Sequence, residues 1–220
     1  GTLKRVSEVA MTHQVQTSAE SMSDSGSRRP LVIAIDGPSG SGKSSTSRGV
    51  ADKLGLAFLD TGAMYRAVTW LALHEGVDLD DRAAIAELSA RASVEVDTDP
   101  RKPAISINGV DVSEAIRAPE VSDAVSAIAT NLDVRADLVG RQKKLIAEAG
   151  GRIVAEGRDI TTVVAPDADV RILLVADPAA RVARRHAELA EHQIDVDDVH
   201  DQVIRRDRDD SSVAEFESAA

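Results

Sequence analysis

Apolar positions follow two rhythms along this chain. Leu31-Val-Ile-Ala-Ile-Asp36 is a short continuous apolar run bounded by turn residues, the pattern of a strand buried on both faces. From Ser44 to Leu54 the spacing becomes helical, with Val50, Ala51 and Leu54 on one face and Gly55 as the stop. Leu56-Ala-Phe-Leu59 predicts a second strand, and Met64 to His74 a helix with Met64, Val68, Leu71 and Ala72 in register. Ser93–Asp97 and Ala104–Asn108 then alternate polar and apolar, the period of a half-buried strand. Asp99-Pro100 and Lys102-Pro103 mark the turn between them, and Asn108-Gly109 a second tight turn before Val110-Asp-Val112. Val134 to Ala149 is amphipathic and stops at Gly150-Gly151. Arg152–Ala155 and Val170–Val175 read as two further buried strands. Asp177-Pro178 opens a helix, with Asp as cap and Pro in the first turn, running to about Glu191, and another spans Val196 to about Arg206.

Strands alternating with helices predict an α/β fold, a parallel sheet covered on both faces. The antiparallel patch reads as an insertion, roughly residues 88–125, between core segments 30–87 and 126–220. Residues 1–29 are rich in Ser, Thr, Glu and Gln without a sustained apolar period. They read as a disordered tail or a leader left from expression, with Met11 or Met22 as alternative natural starts.

Composition narrows the function. With 220 residues, 43% of them hydrophobic, the chain buries a real core and is not wholly disordered. No apolar run approaches the ~18–20 residues of a membrane span. The absence of Cys excludes disulfides, thiol catalysis and Cys-ligated zinc, and fits the reducing cytoplasm. A net charge of −11 and 2% aromatic residues argue against nucleic-acid and anionic-membrane partners. A phosphate ligand therefore requires positive charge gathered locally.

Gly37-Pro38-Ser39-Gly40-Ser41-Gly42-Lys43-Ser44 matches G-x-x-x-x-G-K-[ST] between a predicted strand and a predicted helix. Glycines let successive backbone N–H groups turn toward a phosphate, and the helix start adds its own amides through Ser44 and Ser45. Lys43 supplies a full charge for the outer phosphates, and the Ser44 hydroxyl suits Mg2+. GTPases, transporter ATPases and small kinases all share this loop. Guanine selection by N-K-x-D is not supported: Thr130-Asn-Leu-Asp133 has Leu for Lys and reads as a helix cap.

Three further charged groups fall where ligands bind such a sheet, at the carboxyl ends of strands. Asp60-Thr61-Gly-Ala-Met-Tyr-Arg66 follows the second strand, with Thr61 as a possible cap and Arg66 able to reach an anion there. Glu156-Gly-Arg158-Asp159 follows the third, Glu156 standing where carboxylates assist Mg2+. Arg181, Arg184 and Arg185 share one helix face, and Arg205-Arg206-Asp-Arg208-Asp-Asp210 ends the last helix. Taken alone these runs are solvated faces or surface turns; joined to a phosphate loop they read as a lid clamping the transferred phosphoryl group. The five histidines show no metal-ligand spacing.

Together these pieces resemble the bacterial cytidylate kinase family. The matching elements are Ile35–Ser44, Leu59–Arg66, Asp111–Arg117, Glu156–Ile160 with Thr162–Val164, Pro166–Ala168, Arg206-Asp207 and Asp210-Ser211. The likeness runs from about Leu31 to Ala220, and the Asp-Thr-Gly-Ala-Met-Tyr-Arg element is its most specific part. The resemblance implies a P-loop kinase core, residues 88–125 as a monophosphate-binding insertion, and a helical Arg-rich lid near 178–195. It implies ATP-dependent phosphorylation of CMP and dCMP with Mg2+ by a cytoplasmic monomer. Alternatives are another acceptor (UMP, AMP or shikimate) or a catalytically weak nucleotide-binding module. Carried over by position, Thr61, Arg66 and Arg158 hold the CMP phosphate, and Ser126, Arg135 and Asp159 read the cytosine. Asp210 binds the sugar, and Arg206 bridges donor and acceptor. Lys43, Arg158, Arg181, Arg185 and Arg206 are the expected catalytic cations, with Ser44 and Glu156 at the metal. Departures are Thr161 for a family Gly, Val213 for a family Arg, and an end at Ala220 where members usually continue with a strand and helix.

Overall fold

The computed structural model describes residues 29–190, 205 and 207–209. Among the described residues its main sheet is parallel and four-stranded. β1 (Leu31–Asp36) lies between β6 (Arg152–Gly157) and β7 (Val170–Leu173), and β2 (Ala57–Asp60) pairs with the far side of β6. The register sets Ile35 and Asp60 beside Glu156, and Asp36 beside Gly157. Three carboxylates thus gather at the carboxyl ends of adjacent strands. Ile33, Ile35 and Val154 pack against Ala51 of α1 (Lys43–Leu54), whereas Ala34, Ile153 and Ala155 join a larger cluster on the opposite face.

That larger cluster is built on α2 (Thr61–His74), whose Met64, Ala67, Val68, Leu71 and Ala72 are buried. α3 (Arg82–Arg91), α4 (Pro119–Ala129) and α5 (Leu132–Glu148) pack around it. Asn131 caps α5 by accepting from the amides of Asp133 and Val134, so the Thr130–Asp133 segment is the helix cap its sequence suggested. Asp177 caps α6 (Pro178–Ala190) in the same way, accepting from Ala179 and Ala180.

The antiparallel patch is a three-stranded sheet of β3 (Val94–Asp97), β4 (Ala104–Ile107) and β5 (Val110–Asp111). Asn108 and Gly109, with φ of 49° and 78°, form the turn between β4 and β5 in the left-handed geometry that Asn-Gly favours. Ile105 and Ile107 face inward and belong to the same apolar cluster as Leu59, Val68 and Ala155. Two polar contacts add to this: Phe58 N–H donates to the Thr98 carbonyl at 2.8 Å, and Arg48 Nε to the Pro100 carbonyl at 3.1 Å. α4 runs unbroken across position 125.

Three expectations are corrected. Among the described residues β7 pairs with β1 alone and is not doubly covered: Val170 and Ile172, which share one face of the strand, are 41% and 38% exposed. Leu54, placed by periodicity on the buried face of α1, is exposed because the sheet contact ends at Ala51. Asp60, and not Thr61, caps α2: its carboxylate accepts from Ala63 N–H at 3.1 Å. Predictions for residues 1–28 and for the helix from Val196 lie outside the described residues, apart from helical backbone at 205 and 207–209. Among the described residues no helix is long and apolar enough to cross a membrane.

Candidate active site

The loop from Gly37 to Gly42 leaves the end of β1 and enters α1 with Gly42 as a left-handed cap lacking any side-chain hydrogen bond. No cap side chain therefore stands over the first amides of α1, which carry the positive end of the helix dipole. Gly40 has φ of 73°, and a Cβ there would sit 2.7 Å from the Arg181 carbonyl, so a side chain is shut out on two grounds. Lys43 Nζ donates to the Pro38 carbonyl at 3.2 Å, folding back over the loop. The Ser41 hydroxyl is buried without a hydrogen-bond partner.

Glu156, next to last in β6, stands at the centre of this arrangement and is 1% exposed. Its Oε1 accepts from the Ser44 hydroxyl at 2.6 Å, and its Oε2 has no hydrogen-bond partner. Burial raises its pKa to about 7, and the Asp60 carboxylate adds to the rise; Lys43, the Ser44 hydroxyl and Arg66 oppose it. Lys43 and Arg66 thus act on one carboxylate from the loop side and the α2 side. The Thr61 hydroxyl is buried and donates to the Glu156 carbonyl at 2.8 Å, tying α2 to β6.

Arg158 and Asp159 follow β6. Asp159 pairs with Arg135 of α5, whose guanidinium also donates to the Ala129 carbonyl at 3.2 Å and lies 5.9 Å over the Tyr65 ring. Arg158 Nη1 lies 3.6 Å from Asp207, and Asp207 pairs also with Arg181. Arg181 is 7% exposed, which removes the solvated-face reading for this residue. Its Nε donates to the Ser39 carbonyl at 2.9 Å, and Arg184 Nη1 donates to the Gly40 carbonyl at 3.3 Å. Two arginines of α6 thus rest on the phosphate loop itself. Ser126 is half-buried on α4, one turn beyond Asp123, which faces Arg205 at 3.6 Å. Arg206 and Asp210 lie outside the described residues, as does the side chain of Arg185.

Asp36 was not singled out by sequence. Its buried carboxylate accepts from the Ile160 and Thr161 amides at 2.9 and 2.8 Å and from the Thr161 hydroxyl at 2.6 Å. It pins a π-helical turn, Ile160–Val164, directly behind Arg158 and Asp159. An acid closing an apolar strand just before the glycine loop was the available signal. Thr161 makes one of these bonds with its hydroxyl.

A parallel sheet whose first strand feeds a phosphate loop, faced by arginines from three further elements, defines a P-loop phosphotransferase. The cytidylate kinase family model matches residues 33–218. The chain is 57% identical to cytidylate kinase of Cutibacterium acnes over 196 residues, covering 88% of this chain and 86% of that protein. It is 47% identical to that of Streptomyces avermitilis over 182 residues, covering 83% and 78%. It is also 45% identical to the bifunctional pantoate ligase/cytidylate kinase of Prochlorococcus marinus, covering 84% of this chain and 38% of that one. This chain belongs to the cytidylate kinase family. It is an enzyme, a nucleoside monophosphate kinase using ATP.

Proposed function

We propose that the enzyme transfers the γ-phosphoryl group of ATP to CMP and dCMP through the residues described above. One observation carries this reading: Lys43 and Arg66 both act on Glu156, while Arg181 joins the loop carbonyl of Ser39 to Asp207 and Arg158. Cations of the phosphate loop, α2 and α6 and the arginine after β6 thus lie in two groups, one at Glu156 and one at Asp207. In this reading Gly37–Ser45 holds the ATP phosphates, and Arg66 and Arg158 hold the monophosphate. Thr61 contributes by fixing the start of α2, since its hydroxyl proton is committed to Glu156. Arg135, Asp159 and Ser126 face the base, and Arg206, Asp210 and Arg185 complete the sugar and lid contacts.

The acceptor phosphate is largely anionic near neutral pH, so no side chain is required to remove a proton. Catalysis is then alignment and charge neutralisation by Lys43, Arg158 and Arg181. The cation site fits Mg2+: Ser44 and Glu156 offer hard oxygens, and Glu156 Oε2 is buried without a partner. When bound, Mg2+ supplies charge neutralisation at the β- and γ-phosphates. We read the enzyme as a cytoplasmic monomer.

Coupled release of ADP with CMP, dCMP, UMP, AMP and shikimate tests the assignment. CMP and dCMP are expected to exceed the others; a clear preference for AMP or UMP would show that the base is read differently. Lys43→Ala and Arg158→Ala are each expected to lower kcat by ~10²-fold or more, as for the loss of one well-placed donor to developing charge. Near-normal turnover in either variant would remove that residue from the mechanism.

A further inference from the structure

Asp207 stands between an arginine that rests on the phosphate loop and the arginine that follows β6. One carboxylate oxygen pairs with Arg181 Nη2; the other lies 3.6 Å from Arg158 Nη1. Their side chains are 21%, 8% and 15% exposed, so all three charges are well removed from bulk water. Arg181 is also anchored to the Ser39 carbonyl. The result is a continuous chain: phosphate loop, Arg181, Asp207, Arg158, end of β6.

We propose that Asp207 is a positioning residue for phosphoryl transfer, holding the guanidinium groups of Arg158 and Arg181 side by side and aimed into the cleft. The proposal rests on the kinase reading above. Two guanidinium groups brought together out of water repel one another, and each has rotamer freedom that would scatter its charge. A carboxylate between them offsets the repulsion, holding Arg181 by a hydrogen bond and Arg158 by charge at 3.6 Å, so less reorganisation remains when phosphate charge must be neutralised. The residue does more than tie its segment down. Arg205, two positions earlier, already faces Asp123 of α4, and that contact does not involve either cleft arginine.

The test is a double-mutant cycle on the full chain, with Asp207→Asn, Asp207→Glu, Arg181→Gln and the Asn/Gln double variant. kcat, KM for CMP and ATP, and Tm are measured for each. Asp207→Asn is expected to lower kcat by ~10-fold or more while both KM values change by less than about 3-fold, and Asp207→Glu to recover most of the rate. In the Arg181→Gln background, Asp207→Asn is expected to add a smaller factor than it does in the parent, because only Arg158 is left for it to orient. An increase in kcat or a marked fall in either KM would mean that Asp207 competes with phosphate for the arginines, and would overturn the proposal. So would a fully multiplicative double variant, or a lower Tm with unchanged kcat. If Asp207→Asn does not fold, Asp207→Ser takes its place in the cycle with the same expectations. If the unmodified enzyme phosphorylates no acceptor, the kinase reading falls and this proposal with it; if it phosphorylates CMP and the cycle is additive, this proposal alone falls.

Discussion

Glu156 is held between opposing demands. It stands near the end of a buried strand beside Asp60, yet it accepts a short hydrogen bond from Ser44 and faces Lys43 and Arg66. Burial and Asp60 win, and its pKa rises from 4.5 to about 7. A carboxyl whose folded pKa is raised keeps a proton that the unfolded chain has already released. Its contribution to stability is therefore fully present below pH 4.5 and is lost as pH rises through about 7. In chelator without nucleotide, the Tm of the parent protein minus that of Glu156→Gln is expected to fall steadily across that window. Calorimetry at several pH values checks this, and a difference independent of pH would mean that Glu156 does not titrate there. The sequence marked Glu156, Lys43, Arg66 and Arg158 through their place after strands and within the glycine loop. It quoted Asp36 and Asp207 within longer runs but gave neither a role of its own, because each acts through partners more than a hundred residues or a whole element away. A one-dimensional pattern shows that an acid stands at a strand end, not which amides will turn toward it.

The small antiparallel sheet is the element whose role depends most on its neighbours. Alternation along β3 and β4 was legible, and so was the Asn108-Gly109 turn. What covers the apolar face was not, since a period of two gives a face without naming its partner. Ile105 and Ile107 fill the same cluster as residues of α2, β2 and β6, and the 98–100 segment is bonded to the edge of β2 and to α1. The sheet and the parallel core should therefore unfold together. Ile107→Ala, at a position with no exposure, is expected to cost about 2–5 kcal/mol. Denaturant unfolding followed by far-UV circular dichroism and by the fluorescence of Trp70, the chain's single Trp, should give one coincident transition for both proteins. Two separated transitions would mean an independently folded insertion. β7 shows the complementary failure: a continuous apolar run predicts burial, but the run alone does not say whether one or both edges and faces are covered.

The molecule carries 37 acidic and 26 basic side chains, yet binds polyanions in its assigned role. Lys43, Arg66, Arg135, Arg158, Arg181 and Arg184 all belong to the candidate site, so a sizeable part of the positive charge is spent at one cleft. Two fields with different reach follow. The net charge of −11 repels an approaching nucleotide from a distance, whereas the cleft cations act over a few ångströms in a partly desolvated place. Salt separates them, because the Debye length shrinks from ~30 Å at 0.01 M to ~10 Å at 0.1 M and ~3 Å at 1 M. Between about 0.01 and 0.1 M the distant repulsion is screened first, and kcat/KM for CMP at saturating ATP is expected to rise. Toward about 1 M the screening reaches the cleft contacts themselves, and kcat/KM is expected to fall. Steady-state kinetics across that range, at constant free Mg2+, distinguishes this from the simpler alternative. A fall from the lowest salt onward would mean that the cleft's field already dominates at long range, so that the acidic body does not govern approach.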